Sequence, residues 1–415
     1  MRPLDELRSV ESATVLKQDV PAGTLQRRRD AVVFSYDEAY VAAGGPPVAT
    51  TLPVTTDPVV THAPGALPPF FSGLLPEGRR LTALRSAVKT SADDELTLLL
   101  AVGGDAVGDV QVIPVGQGSL DIEPRVTVSE WSEVRFDELL ATSVGGSGQV
   151  DRVAIPGMQD KVSARMINVP VARAGYRYLL KFDPPEFPHL VANEAFCLEA
   201  ARLSGIAAAE AEVVHDMAGT PGLLVRRFDR VSAPDGGVTM LAQEDACQVL
   251  ARYPADKYRV TTEAVIAALA DVCRARPVAA LTLIRQFAFA YLICNGDGHA
   301  KNFSVFCTSD GEWRVTPAYD VPTSYVYGDY TMALTLNGKS REDIGRHDFI
   351  AVGLAVGVRP RAVESALDEL SERVDLWIDD IAGLPFDEGV LRKLRRATEY
   401  RRQRLMDGDD RGGDS

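Results

Sequence analysis

Apolar and polar positions alternate in short runs over the first 115 residues, with Gly and Pro between them. This pattern predicts strands joined by turns. Residues 32–36 form one such run, and Pro46-Pro47, Pro58 and Pro64 break up the stretch after it. Helical spacing predicts helices over 68–80 and 93–102, after which Gly103-Gly104-Asp105 turns the chain into a strand over 110–114. The stretch Ser143-Val-Gly-Gly-Ser-Gly148 reads as a flexible connector. Beyond it, strands are predicted over 161–169, 176–182, 211–215 and 223–228. A helix over 191–203 lies among them and stops at Gly205.

From about Gln243 the spacing becomes mainly helical, over 262–274, 278–294, 359–380 and 386–406. A hairpin interrupts it: strand 303–307, the turn Ser309-Asp310-Gly311, then strand 313–316. A strand-rich half followed by a helix-rich half, hinged near residue 235, predicts an α+β protein of two lobes around a cleft.

Length and composition fit this picture. The chain has 415 residues, 46% hydrophobic and 25% charged, enough for two or three domains with sizeable cores. The run 278–294 is the most apolar, but Arg285 and Gln286 interrupt it, so it reads as a buried helix and not a membrane span. Residues 1–12 mix charged and polar side chains without an apolar run, which predicts no signal peptide and a cytoplasmic location. Five widely spaced cysteines without a CxxC pair read as reduced core residues. The net charge of −14 argues against general binding to nucleic acid, which requires Lys and Arg against phosphate.

The sharpest chemical signal is Asn295-Gly-Asp-Gly-His-Ala-Lys-Asn302, between the apolar helix and the hairpin. Asp297 and Asn302 have the Asp-x-x-x-x-Asn spacing of a kinase catalytic loop. In that chemistry a carboxylate orients the attacking hydroxyl and an amide oxygen ligates magnesium. The spacing alone is expected about once by chance in a chain this long. The hairpin adds to it, because antiparallel pairing returns Asp320, in Pro317-Ala-Tyr-Asp320, towards Asn302. The same residues also suit an ordinary turn, with His299 as a structural hydrogen-bonder.

Only eight of the 44 basic residues are lysines, and four of them, Lys161, Lys181, Lys301 and Lys339, fall in candidate phosphate-handling segments. Lys181 ends a predicted strand, with Glu194 on the next helix as a candidate ion-pair partner. Each could instead be a solvated surface residue. The basic run from Arg392 to Arg404 could dock an acidic surface or nucleic acid. It suits better the solvated face of a helix with Leu391, Leu394 and Leu405 turned inward.

Taken in order, these segments resemble the HipA-like serine/threonine kinases, the toxins of bacterial toxin–antitoxin pairs. The resemblance is carried by Phe70-Phe-Ser-Gly-Leu-Leu-Pro-Glu77, Gly157-Met-Gln-Asp-Lys161, Asn193-Glu194, Leu224-Val-Arg-Arg-Phe-Asp-Arg230, Gln243-Glu-Asp-Ala-Cys-Gln248, Lys257-Tyr258, Asp297-Gly-His-Ala-Lys-Asn-Phe-Ser304 and Pro317-Ala-Tyr-Asp320.

The resemblance implies a protein-kinase-like two-lobed fold. Residues 1–115 would form the amino-terminal subdomain, 116–235 an N-lobe with ATP-binding elements, and 236–415 a helical C-lobe with the catalytic loop. It implies Asp297 as catalytic base, with Lys301 and His299 in the same loop, and Asn302 and Asp320 as ligands of Mg²⁺. ATP would be met by Gly157, Gln159, Lys161, Lys181, Glu194 and the segment Arg227–Phe228.

It further implies a HipB-like helix-turn-helix antitoxin as partner, operator DNA bound mainly through that antitoxin, and a protein substrate of the aminoacyl-tRNA synthetase class. Two departures stand out. Ala154 occupies the place of the family's autophosphorylated serine, with Ser147 and Ser163 the nearest hydroxyls. Arg226 replaces an expected acidic residue. They motivate a second reading, a catalytically quiet co-repressor partner of the antitoxin. A small-molecule kinase, which would share the Asp…Asn…Asp arrangement, is the third.

Overall fold

The computed structural model describes residues 4–407 apart from 30, 63–64, 103–105, 119–125, 137, 140–165, 174, 184–186 and 233–236. Among these, one compact unit draws on residues up to 139, 166–183 and 214–254, and a second on 187–213 and 255–407. Strands and helices are both abundant, so the expected α+β class is what the chain adopts.

Among its described residues the first unit contains two antiparallel sheets and a short two-stranded hairpin. β1 (Ser12–Lys17), β2 (Val20–Arg28), β3 (Ala31–Tyr36), β4 (Val59–Thr61) and β5 (Val110–Pro114) form a sheet ordered β4-β3-β2-β1-β5. Its inward positions, among them Val15, Leu25, Phe34 and Val112, pack on Leu67, Phe71, Leu96 and Leu98. The helix expected over 68–80 is broken in two, Pro69–Gly73 and Gly78–Val88. Pro76 supplies the reason: it lacks an N–H and biases Leu75 away from helical dihedrals.

β6 (Ile167–Arg173) and β7 (Tyr176–Phe182) pair in register from Ile167↔Phe182 to Arg173↔Tyr176. After β8 (Ala211–His215), β9 (Pro221–Arg226) adds to the other edge of β7, placing Lys181 opposite Leu223. Val169, Val171, Leu180 and Leu224 cover Trp131 and Phe136 in a second core. β10 (Arg230–Ser232) and β11 (Val238–Met240) form a short hairpin, and β12 (Gln243–Asp245) leads into a one-turn helix. That helix is closed by a capping box in which Asp245 and Gln248 satisfy each other's backbone N–H.

The second unit is built on the helix Arg276–Leu292. It is buried on nearly all sides through Leu283, Ile284, Phe287, Phe289 and Tyr291, as its apolar run requires. Pro277 sits in its first turn, where a missing N–H costs nothing. The helix expected over 359–380 stops at Glu372 and continues as two 3₁₀ turns. Between them Trp377 leaves helical geometry, is buried, and donates its indole N–H to Ser204 Oγ at 2.9 Å.

The basic helix Glu388–Met406 buries Leu391, Leu394 and Leu405, and several of its arginines are engaged within the unit. Arg395 and Arg402 pair with Asp379 and Asp375, while buried Arg401 donates to the carbonyls of Tyr291 and Tyr330. All five cysteines are free thiols, and among the described residues no helix is long and apolar enough to cross a membrane.

Candidate functional site

The loop 295–302 begins where the central helix ends. Cys294 takes a left-handed conformation (φ 57°), and the Asn295 N–H returns to the Ala290 carbonyl at 2.9 Å. The chain then folds tightly on itself. Asn295 Oδ1 accepts the Asp297 N–H at 2.9 Å, His299 N–H donates to the Asp297 carbonyl, and Asn302 N–H donates to the His299 carbonyl. One neighbouring segment braces this turn at two points. The Lys257 carbonyl accepts the Ala300 N–H at 3.1 Å, and the Tyr258 hydroxyl donates to Asp297 Oδ1 at 2.6 Å. The Asp297 side chain is buried at this position.

Beyond the loop, β13 (Ser304–Cys307) and β14 (Trp313–Val315) pair with Val305 opposite Val315 and Cys307 opposite Trp313. Phe303 stacks on Phe287 at 3.9 Å between ring centroids, fixing the hairpin on the central helix. The pairing brings Asp320 back to Asn302. Asn302 Nδ2 donates to Asp320 Oδ2 at 3.0 Å and to its backbone carbonyl at 3.1 Å.

Asp320 itself has φ 53°, a strained geometry that Asp tolerates better than most residues. It is held from both sides. Before it, Ala318 exchanges backbone hydrogen bonds with Ala207 and Ala209. After it, the buried amide of Asn193 donates to the Thr323 carbonyl at 2.8 Å and accepts the Thr323 N–H at 2.9 Å.

The polar arrangement fits a divalent cation. Asn302 Oδ1 is buried without a hydrogen-bond partner among the described residues, beside the Asp320 carboxylate. No cluster of three or more His, Cys, Asp or Glu side chains suited to a metal occurs among the described residues. Magnesium does not require one, since it commonly uses one or two protein oxygens and completes its shell with phosphate and water.

His299 lies beside this pair, buried, with its ring edge-on to Tyr258 at 5.1 Å. Burial pushes its pKa well below the ordinary value, and the Lys257 ammonium adds to the effect, so the ring is neutral. The Lys301 carbonyl accepts from the Tyr319 hydroxyl at 2.8 Å.

In the first unit, Lys181 is buried on β7, and in the second Glu194 is buried on the helix Leu190–Leu203. Neither is the solvated residue its sequence context also allowed. Arg227 is drawn inward: its guanidinium meets both oxygens of Asp229, at 2.9 and 2.7 Å, and its N–H donates to the Arg177 carbonyl. Arg226 instead lies over the Tyr176 ring, 4.3 Å from its centroid.

Lys339, counted among the phosphate-handling candidates, is paired with the buried Asp348 carboxylate at 3.0 Å and is a structural residue of the second unit. Gly157, Gln159 and Lys161, the substituted position Ala154, the hydroxyls Ser147 and Ser163, and the connector 143–148 all lie outside the described residues.

Sequence reasoning gave no role to Asn193 or to Tyr258. Both lie in short motifs, Asn193-Glu194 and Lys257-Tyr258, that were visible without revealing what they touch.

Comparison with known proteins covers most of the chain. Residues 153–378 match the model of the HipA-like C-terminal domain, and residues 13–113 match that of the HipA N-terminal domain. The Sinorhizobium fredii protein Y4mE, named as a candidate kinase, is 28% identical over 384 residues, 87% of this chain and 90% of its own. The serine/threonine-protein kinase toxin HipA of Shewanella oneidensis is 28% identical over 313 residues, 70% of each chain. A solved structure of the Shewanella oneidensis toxin–antitoxin system, HipA with HipB and operator DNA, superposes with a TM-score of 0.75 at 21% identity. It covers 95% of this chain and 97% of its own.

Proposed function

The chain belongs to the HipA-like kinase family, and from that premise we propose that it is an ATP- and Mg²⁺-dependent serine/threonine protein kinase acting as the toxin of a toxin–antitoxin pair. The observation that carries the reading is the Asn302–Asp320 pair at the mouth of the hairpin. There a buried, unsatisfied amide oxygen sits next to a carboxylate, five residues after the buried Asp297.

In this reading Asp297 orients a Ser or Thr hydroxyl and receives its proton. The hydroxyl oxygen forms a bond to the γ-phosphorus as the bond from that phosphorus to the ADP oxygen breaks. A magnesium ion held by Asn302 and Asp320 would offset charge on the β- and γ-phosphates. Lys181 would do the same from β7. Gly157, Gln159 and Lys161 would form the loop over the phosphates, Glu194 would belong to the ATP-binding set, and the Arg227–Phe228 segment would meet the adenine. Neutral His299 and Lys301 would complete the loop around Asp297.

The partner would be a HipB-like helix-turn-helix antitoxin that supplies the contact to operator DNA, consistent with the acidity of this chain. The Shewanella complex supports this assignment. The substrate class would be a translation component such as an aminoacyl-tRNA synthetase, phosphorylated in the cytoplasm.

Transfer from γ-labelled ATP with Mg²⁺, in a kinase-depleted lysate, tests the proposal on wild type and Asp297→Asn. A labelled protein that vanishes with the variant is the expected result. Retained ATP binding with no label in either sample would overturn it in favour of the co-repressor reading, which the substitutions at Ala154 and Arg226 motivate.

A further inference from the structure

Tyr258 stands outside the catalytic loop, on the segment that follows a 3₁₀ turn at Pro254–Asp256, yet its hydroxyl makes a 2.6 Å hydrogen bond to Asp297 Oδ1. The residue before it is anchored to the same loop, because the Lys257 carbonyl accepts the Ala300 N–H at 3.1 Å. These two contacts fix the phenol relative to the loop. The Tyr258 ring also rests against the edge of neutral His299, and the Lys257 ammonium lies 5.4 Å from its centroid. A partly buried aromatic held at three points, with its hydroxyl on a buried carboxylate, is more than a surface residue that happens to reach a neighbour.

A carboxylate has two oxygens and a soft torsion about the bond that carries them. A phenolic O–H on Oδ1 selects one rotamer and uses that oxygen for support, which orients the group for a single direction of proton transfer. We propose that Tyr258 is a positioning residue for Asp297, setting the orientation of the carboxylate that accepts the substrate hydroxyl. The inference rests on the kinase reading, and it assigns to the Lys257-Tyr258 motif a task beyond packing.

The test compares wild type, Tyr258→Phe and Asp297→Asn in steady-state phosphorylation of the labelled protein substrate, with the melting temperature of each. Tyr258→Phe removes one oxygen atom and keeps the ring against His299. The expected result is a kcat lower by about 10- to 100-fold, with KM for ATP and melting temperature unchanged. A purely structural role would instead lower the melting temperature or raise KM for ATP, and either outcome overturns the proposal. So does a Tyr258→Phe variant with wild-type kcat while Asp297→Asn is inactive. If Asp297→Asn retains wild-type transfer, it is the kinase assignment of Asp297 that fails, and the positioning inference falls with it.

Discussion

Removal of the Asp229 carboxylate tests how the segment that carries Arg227 and Phe228 is held. Four donors converge on that group: Arg227 Nε at 2.9 Å, Arg227 Nη2 at 2.7 Å, Arg230 Nη1 at 2.8 Å and the Gly108 N–H at 3.0 Å. Both guanidiniums also reach the carbonyl of Ala106, so the cluster ties the end of β9 to the approach to β5. The carboxylate and both arginine side chains are at most 5% exposed, which places the two positive charges out of reach of water. Breaking a buried charge cluster by removing one partner costs about 3–5 kcal/mol, because the two guanidiniums lose a buried carboxylate that offsets their charge. For a unit of this size each kcal/mol lowers the melting temperature by about 2–4 °C.

Asp229→Ala is therefore expected to lower the melting temperature by about 6–20 °C in a circular-dichroism scan at neutral pH. Asp229→Asn is expected to cost nearly as much. Its amide accepts at one oxygen only and turns an NH₂ against donors it cannot satisfy.

The pH dependence follows from the sign of the shift. The two arginines hold the Asp229 carboxyl well below its usual range against the effect of burial. A carboxylate with a depressed folded-state pKa contributes fully above its unfolded value of about 3.9, and that contribution is lost as pH falls towards the folded value. The gap between wild type and Asp229→Ala should thus be widest near neutrality and narrow in acid. A loss of less than about 1 kcal/mol at pH 7, or a gap that widens as pH falls, would refute the argument.

Two further outcomes are expected. Asn193→Ala deletes both halves of the clamp on Thr323, leaving a buried N–H and a buried carbonyl unsatisfied; denaturant titration should show a loss of about 2–4 kcal/mol, with phosphoryl transfer reduced because the segment after Asp320 loosens. Thiol labelling of the native protein should modify Cys307 first, since the other four cysteines are buried and burial raises the Cys273 thiol to about 11, and all five should react once the chain is denatured.

Much of this architecture was legible because the signals were local. The apolar run around Phe287 had to be a buried helix, and the register of β13 and β14 had to bring Asp320 back to Asn302. Where the reading failed, a local signal met a tertiary demand. Trp377 continues a helical spacing, yet its indole needs both burial and the Ser204 hydroxyl, and the helix gives way before it. Lys339 sits in an Asn-Gly-Lys turn that suits a phosphate contact, but a carboxylate eleven residues beyond Asn337 claims it.

Glycine makes the same point at the site itself. The turn at Asn295-Gly296-Asp297 takes its left-handed residue at Cys294 and not at Gly296. What Gly296 provides is proximity: a Cβ there would lie 2.7 Å from Ser324 Oγ and 2.8 Å from the Asp329 carboxyl carbon. Its N–H donates to that same Ser324 hydroxyl at 2.7 Å, so the loop bearing Asp297 and the segment following Asp320 are joined where only a glycine fits. The motif thus encodes a contact between two pieces of the site about thirty residues apart. A side chain at 296 would push them apart without touching any residue to which a chemical role has been assigned.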